Sequence, residues 1–567
     1  MEKKWIYPPE GDQEVIKQLA VGLEVSPLVA RLLHARGVNT LEEARLFWEP
    51  RMEDLHDPFL LEGMEPTVDR LERALRDKEK MMVFGDYDVD GITGTALVWR
   101  ALNSLGGEVG WYLPNRAREG YGISASGVEE AHSRGVSLLV SVDCGITAHA
   151  EVELAGSLGI DCIITDHHEP KESLPKAVAV LNPKLAGSRY PYQELAGVGV
   201  AYKMLQGLYA RLGLEPEQLQ EHLDLVALGT LADIVPLNGE NRVLAKFGLE
   251  KLRSSRKPGV RALLEVTGLT GKPLDSGQIV FMLAPRINAV GRIGEAGEAL
   301  RLLITENQDE ALAIAQTLDQ ENRKRKEIDD QILAEAMEMV RRRIDLDEEM
   351  VIVLESETWH QGVIGIVASR LVEQFYRPTV LIAVDGDKGK GSARSIPAFH
   401  LHEALKSCQE HLLGFGGHKY AAGMSIEAGR IPEFRKKLNL VARETMSPED
   451  LVPNQALDAV VDLDEVDIDT ARSFARFAPF GPGNRHPVLA ARQLRVVGSP
   501  QIVGRNHLKF KVKQKQRVFD SIGFSFGDRL EEIEDPDALL DMAFVLEENE
   551  WQGQKKLQLR LKDIRVR

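Results

Sequence analysis

Thiols are scarce in this chain. Cys144, Cys162 and Cys408 are its three cysteines in 567 residues, and none forms a C-x-x-C pair. That excludes a disulfide framework or a cysteine-rich zinc cage and fits a reducing, cytoplasmic setting. No apolar run approaches the roughly 20 residues that span a bilayer. No apolar stretch follows Lys3-Lys4 at the N-terminus, so neither a membrane span nor a signal peptide is expected. Internal repeats and low-complexity tails are also missing. Positive charge is outnumbered, for the net charge is −17. Taken alone this points away from nucleic acid, but phosphate affinity depends on local basic grooves rather than on the whole-chain sum. Many of the acids also fall on solvated helical faces, such as 329–338 and 345–349.

What remains is an ordinary globular composition, 43% hydrophobic and 28% charged. The length exceeds one core, so roughly three or four domains are expected. Between 80 and 181, apolar runs at 81–84, 137–142, 162–165 and 177–181 alternate with helical spacing at 91–105 and 147–159. Short continuous runs of this kind read as strands buried on both faces of a parallel sheet, and the alternation is a βαβ rhythm. Residues 13–48 have helical spacing, 195–303 read mainly as helices, and 307–345 hold no Gly or Pro, which predicts one long charged helix. A second α/β unit opens at Met350 and ends near Glu444. After Pro453, short alternating strands at 488–497, 509–518 and 557–564 suggest a small β-barrel of the OB type. The predicted fold class is α/β. It comprises a helical appendage (1–60), a parallel-sheet domain with a helical extension (61–305) and a connecting helix (306–345). A second α/β domain (346–448) and an OB-like barrel (449–567) follow.

Three strand runs end in metal-seeking residues. The first leads into Asp86-Tyr87-Asp88-Val89-Asp90-Gly91, the second into Asp143-Cys144-Gly145, the third into Asp166-His167-His168. The carboxyl ends of parallel strands form the ligand crevice of an open sheet, so these groups converge. Alternate residues of an extended segment share a side, which would point Asp86, Asp88 and Asp90 together. Crowded carboxylates raise one another's pKa unless cations neutralise them. An oxygen and imidazole set without thiolate suits Mn²⁺ or Mg²⁺ better than structural zinc. Ala232-Asp233-Ile234-Val235-Pro236 could add a carboxylate. A lone D-x-D-x-D is often an acidic turn and a lone His pair often packs, but three such sites at successive strand ends are poorly explained by packing, because unpaired buried carboxylates are costly.

These four segments resemble the successive motifs of the DHH phosphoesterase superfamily. The resemblance implies two divalent ions: Asp88 and Asp143 hold one, Asp90, His167 and Asp233 the other, and Asp143 bridges them. It places His168 against the scissile phosphate and makes Asp86 a further ligand or an acid behind the ligands. An activated water then attacks phosphorus in line, with no covalent nucleophile, and Cys144 is a small buried spacer.

Gly391-Ser392-Ala393-Arg394-Ser395 and Gly414-Phe415-Gly416-Gly417-His418, with Trp359 to Ala368, resemble the DHHA1 domain in its RecJ form. Glycines let backbone N–H groups approach a phosphate and Arg offers it a planar fork. By that resemblance Ser392, Arg394 and His418 bind DNA phosphates. Pro114-Asn115-Arg116, Gly120-Tyr121-Gly122 and Ala284 to Arg292 are also RecJ-like. They imply that Arg116 and Arg286 hold a 5′-terminal phosphate with Tyr121 and Asn288 nearby. The plainer reading is that Arg286 and Arg292 bond carbonyls in a buried loop. In the last domain, Lys509, Lys511, Lys513, Lys515 and Arg517 alternate with Leu508, Phe510, Val512 and Val518, interrupted at Gln514 and Gln516. Strand periodicity puts the five bases on one face. Such a face is either a solvated edge or an electrostatic track for single-stranded nucleic acid.

The resemblance as a whole implies a 5′→3′ exonuclease that releases mononucleotides from single-stranded DNA, and a cleft completed within one chain makes a monomer natural. A RecQ-like helicase and a single-strand-binding protein are implied as partners. The rival readings are a phosphodiesterase for short oligonucleotides or cyclic dinucleotides, and a non-catalytic replication scaffold.

Overall fold

The computed structural model describes residues 3–115, 119–293, 296–535, 538–551 and 554–567. The chain forms two compact units, one built from Trp5–Gly291, Glu295–Thr317 and Ala456–Arg567, the other mainly from Leu318–Gln455.

The first unit contains a five-stranded parallel sheet of β1 (Lys80–Gly85), β2 (Glu108–Tyr112), β3 (Leu138–Val142), β4 (Asp161–Thr165) and β5 (Ala179–Leu181), in the order 2-1-3-4-5. Every pairing is parallel. Met81 to Phe84 and all of β3 are buried, which is why these runs are apolar throughout rather than alternating. Helix α1 (Val89–Ser104) follows β1 and packs against α2 (Gly197–Arg211) and α3 (Leu223–Ala232). Strand order reverses between β1 and β3, and ligand crevices of open α/β sheets lie at that switch point. Strand β2 carries a glycine and no continuous apolar run, so it leaves no strand signal in the sequence.

The last segment of the same unit is a closed barrel. Leu489–Val503, His507–Gln514, Arg517–Gly523, Gln554–Val566 and Leu539–Trp551 neighbour one another in that order, and the last pairs back to the first. The third and fourth are parallel and the rest antiparallel. This is the five-stranded OB arrangement. Helices Gln13–Gly22, Pro27–His34 and Leu41–Trp48 share one apolar core with the barrel, through Leu28, Leu32, Leu33 and Trp48 against Phe474, Phe477 and Leu489. The N-terminal appendage is therefore a lid on the barrel's core.

In the second unit, the 36-residue helix Gln308–Arg343, which begins in the first unit, is followed by a five-stranded mixed sheet. Its neighbours in order are Leu412–Gly417, Ala421–Glu427, Lys388–Arg394, Thr379–Asp385 and Ile352–Ser356. Among the described residues no helix is long and apolar enough to cross a membrane.

Candidate metal centre

Asp86 directly follows β1 and is buried. The chain then turns into α1 instead of staying extended, with Asp88 as the helix N-cap accepting from the Gly91 amide at 3.1 Å. The three acids therefore do not share one extended side, which corrects the sequence expectation. Asp90, in the first helical turn, faces α2, and its carboxylate accepts the Gly197 and Val198 amides at 2.7 and 2.8 Å. These are orphan amides of a helix start, where a carboxylate is favoured.

Asp143 follows β3 with φ +61, a left-handed conformation that costs a non-glycine residue energy. Gly197 leaves room for it, since a Cβ there would lie 2.6 Å from the Asp143 carboxylate. After β4, Asp166 is fully buried and accepts four bonds: the His167, His168 and Ile146 amides and His168 Nδ1 at 2.7 Å. That ties the turn together and aims both imidazoles. The sequence groups Asp166 with the metal-seeking residues at the strand ends, whereas here it orients the two histidines. Asp233 caps the end of α3.

His167 Nε2 stands 3.1 Å from Asp143 Oδ1 and 3.6 Å from Asp233 Oδ2. All three atoms are buried, and among the described residues none of them finds a hydrogen-bond partner. Among the described residues, ligand atoms within 4.8 Å of one another form three groups: Asp90, His167 and Asp233; Asp86, Asp88 and Asp143; and Asp143, His167 and His168. Burial, then repulsion from Asp88, pushes Asp90 up to about 7, and burial with Asp90 and Asp88 pushes Asp233 up to about 9. Asp143 is raised well above the usual carboxylate range for the same reasons. Burial lowers His167 to about 3, so its ring is neutral. A neutral imidazole aimed at acids that resist ionising together is unsatisfied until a cation enters. The donor set of oxygens and nitrogen, without thiolate, fits a hard or borderline divalent ion. Burial would lower His168 as well, but the bond and charge of Asp166 outweigh it and the net shift is upward.

Tyr121 joins the same cluster. Its hydroxyl donates to the Asp143 carbonyl at 2.9 Å and lies 3.0 Å from His168 Nδ1. Arg286 and Asn288 lie on helix Ala284–Ile293, both half-buried. The Arg286 guanidinium donates to the Met282 carbonyl of the preceding turn, on a helix rather than in a buried loop. Arg116 lies outside the described residues. In the second unit, Arg394 donates to Ser392 Oγ at 3.3 Å, and Arg394 and His418 flank Ala421, one as its strand partner and the other through an amide bond at 2.9 Å. Gly414, Gly416 and Gly423 beside them present open backbone.

In the barrel, Lys509, Lys511 and Lys513 are exposed and Leu508, Phe510 and Val512 are buried, as alternation predicts. The five-base face is not formed, however. The strand ends at Gln514, Lys515 turns with φ +52 and pairs with Asp462, and Arg517 begins the next strand and donates to the Val466 carbonyl. Val518 is exposed rather than in the core. The basic periodicity continues across a hairpin turn and hides it. Lys511 lies 3.7 Å from Asp520.

Residues 80–230 match the DHH family, N-terminal domain, residues 348–444 the DHHA1 domain, and residues 457–563 the RecJ OB domain. The single-stranded-DNA-specific exonuclease RecJ of Bacillus subtilis (strain 168) is 40% identical over 559 residues, covering 98% of this chain and 70% of that protein. The protein of the same name from Escherichia coli (strain K12) is 35% identical over 576 residues, covering 97% and 98%. The crystal structure of RecJ in complex with Mn²⁺ from Thermus thermophilus superposes with a TM-score of 0.84 at 32% identity, covering 99% of this chain and 79% of that one.

Proposed function

Since this chain belongs to the RecJ family of DHH phosphoesterases, we propose that it is a metal-dependent exonuclease that degrades single-stranded DNA from the 5′ end to mononucleotides. The observation that carries the reading is the buried set of Asp143 Oδ1, His167 Nε2 and Asp233 Oδ2, converging without hydrogen bonds at a strand-order switch point.

In this reading Asp90, His167 and Asp233 hold one divalent ion, Asp86 and Asp88 hold a second, and Asp143 bridges them. Mn²⁺ or Mg²⁺ ions bound there lower the pKa of an attacking water and offset charge on the phosphoryl oxygens. His168, kept cationic to higher pH by Asp166, hydrogen-bonds a non-bridging oxygen of the scissile phosphate and stabilises the charge that builds on it. Tyr121 fixes the turn that carries Asp143. Arg116, Arg286 and Asn288 receive the 5′-terminal phosphate, and Ser392, Arg394 and His418 bind DNA phosphates. Lys509, Lys511 and Lys513 attract the strand further along. The enzyme works as a monomer in the cytoplasm, beside a RecQ-like helicase and a single-strand-binding protein.

The test uses 5′- and 3′-labelled single-stranded oligonucleotides with Mn²⁺, Mg²⁺ or EDTA. Mononucleotides should leave progressively from the 5′ end, only with metal, and not with Asp143→Ala. Cleavage of dinucleotides with long strands left intact would overturn the substrate assignment. Binding without turnover under any metal would overturn the enzyme reading in favour of a scaffold.

A further inference from the structure

Directly after Asp233 the chain passes through a strained turn. Ile234 has φ +65 and a side chain 63% exposed. A β-branched residue in the left-handed region is an outlier that persists only where the surroundings determine the backbone. From one side, Tyr192 Oη and Asn241 Nδ2 donate to the Pro236 carbonyl at 3.2 and 3.1 Å. From the other comes a loop more than 200 positions away, Phe477-Ala478-Pro479-Phe480-Gly481-Pro482-Gly483-Asn484, which leads into the barrel.

The Leu237 amide donates to the Pro482 carbonyl at 2.7 Å. The two glycines allow that approach. A Cβ on Gly481 would lie 2.7 Å from Leu237 Cδ1, and one on Gly483, which has φ +70, would lie 3.2 Å from Pro236 Cβ. The loop is itself held stiffly. Asn484, buried, donates to the Phe477 and Pro479 carbonyls at 2.6 and 2.9 Å. Ser276 donates to the Phe480 carbonyl. Arg242, from the helix after the strained turn, is buried and donates to the carbonyls of Arg476, Phe477 and Ala478 at 3.2, 2.8 and 2.8 Å. A buried guanidinium bonded to a fan of carbonyls locks one backbone path, because its five donors are fixed in a plane.

We infer that the loop 477–484 of the barrel domain positions the Asp233 arm of the metal centre, with Gly481, Pro482 and Gly483 as its positioning residues. The barrel is thereby a structural part of the nuclease site as well as a surface for the strand. The inference rests on the proposed metal centre, for Asp233 Oδ2 must stay aimed at His167 while Ile234 is strained. Partners behind metal ligands typically contribute about 10–100-fold in metal affinity or activity.

The experiment compares full-length wild type, Gly483→Val, the milder Gly483→Ala and Ser276→Ala, and Asp233→Ala alone and combined with each. Mn²⁺ affinity is read by electron paramagnetic resonance titration, and amide hydrogen exchange of 233–237 is read in EDTA. Gly483→Val should accelerate exchange at Leu237 and weaken Mn²⁺ binding about tenfold. It should lower kcat while leaving KM and single-strand affinity in EDTA unchanged, with Gly483→Ala and Ser276→Ala shifting the same readouts less. In the Asp233→Ala background the loop variants should weaken Mn²⁺ no further, because both changes act through one carboxylate. Losses that add to Asp233→Ala would overturn the inference, as would unaltered exchange and Mn²⁺ affinity in variants that fold. If Gly483→Val does not fold, the two milder variants decide the matter by the same readouts. A wild type that binds Mn²⁺ but cleaves no DNA would sink the proposed activity while leaving the exchange and Mn²⁺ tests of the loop intact.

Discussion

Tyr121 donates its hydroxyl hydrogen to the main-chain carbonyl of Asp143 while its oxygen lies 3.0 Å from His168 Nδ1. One phenol thus braces the left-handed turn that presents the bridging carboxylate and flanks the imidazole assigned to the phosphate. Tyr121→Phe keeps the ring and removes the bond. We expect kcat to fall roughly tenfold, with single-strand affinity and melting temperature nearly unchanged. Steady-state kinetics beside a thermal melt checks this, and a rise in KM alone would instead make Tyr121 a substrate contact.

Asp166 sets the charge of His168. Burial alone would lower the imidazole, and the Asp166 bond reverses the shift. Asp166→Asn removes the negative charge, so the His168 pKa falls and the protonated form is lost at lower pH. The alkaline limb of the kcat profile should move toward acid, apart from a general loss of activity where the new side-chain NH2 can no longer accept from the backbone amides it faces. A profile of unchanged shape would show that His168 does not act as a cation.

Metal binding should be proton-linked. Asp90 and Asp233 are pushed up to about 7 and about 9, and ligands must lose their protons to bind. Mn²⁺ affinity therefore rises as pH increases from about 6 to 9. Without divalent ions the sign for stability is the reverse. The folded state holds protons that the unfolded chain releases near its ordinary carboxylate values, so stability falls as pH climbs through the raised values. Calorimetric titration in buffers of different ionisation enthalpy should show proton release that declines toward pH 9. Binding without proton release at pH 7 would contradict the electrostatics described for the site.

The order of the fold was legible because buried parallel strands must be apolar on both faces, which marked β1, β3, β4 and β5. Most of the cluster of acids and imidazoles was legible because its members sit at the ends of strands and helices in sequence. What escaped depends on chain turns or on distant segments. Strand β2 was obscured by Gly110. Asp88 and Asp90 lie on a helix start, so the extended-strand geometry does not apply to them. The hairpin at Lys515 interrupts a basic alternation that runs straight through it in sequence. Neither the docking of the N-terminal helices on the barrel nor the contact of Pro482 with Leu237 leaves a local signal, since both join segments hundreds of residues apart.

The lysine strand makes a graded prediction. Replacing Lys509, Lys511 and Lys513 with Gln should raise KM for long strands and spare short ones that reach only the metal centre. Each lysine that contacts a phosphate should contribute about 0.7 to the log–log salt slope of single-strand binding, Lys511 least because Asp520 already competes for it. An unaltered slope in the triple variant would make the strand a solvated edge.

In the proposed centre, the buried acids and His167 form a two-ion site with Asp143 shared between the ions. Anomalous diffraction at the manganese edge, from crystals of the full chain grown with Mn²⁺, tests it most directly. Two peaks flanking Asp143 are expected, one against Asp90, His167 and Asp233, the other against Asp86 and Asp88. A single peak remote from Asp143, or no peak at saturating Mn²⁺, would contradict it.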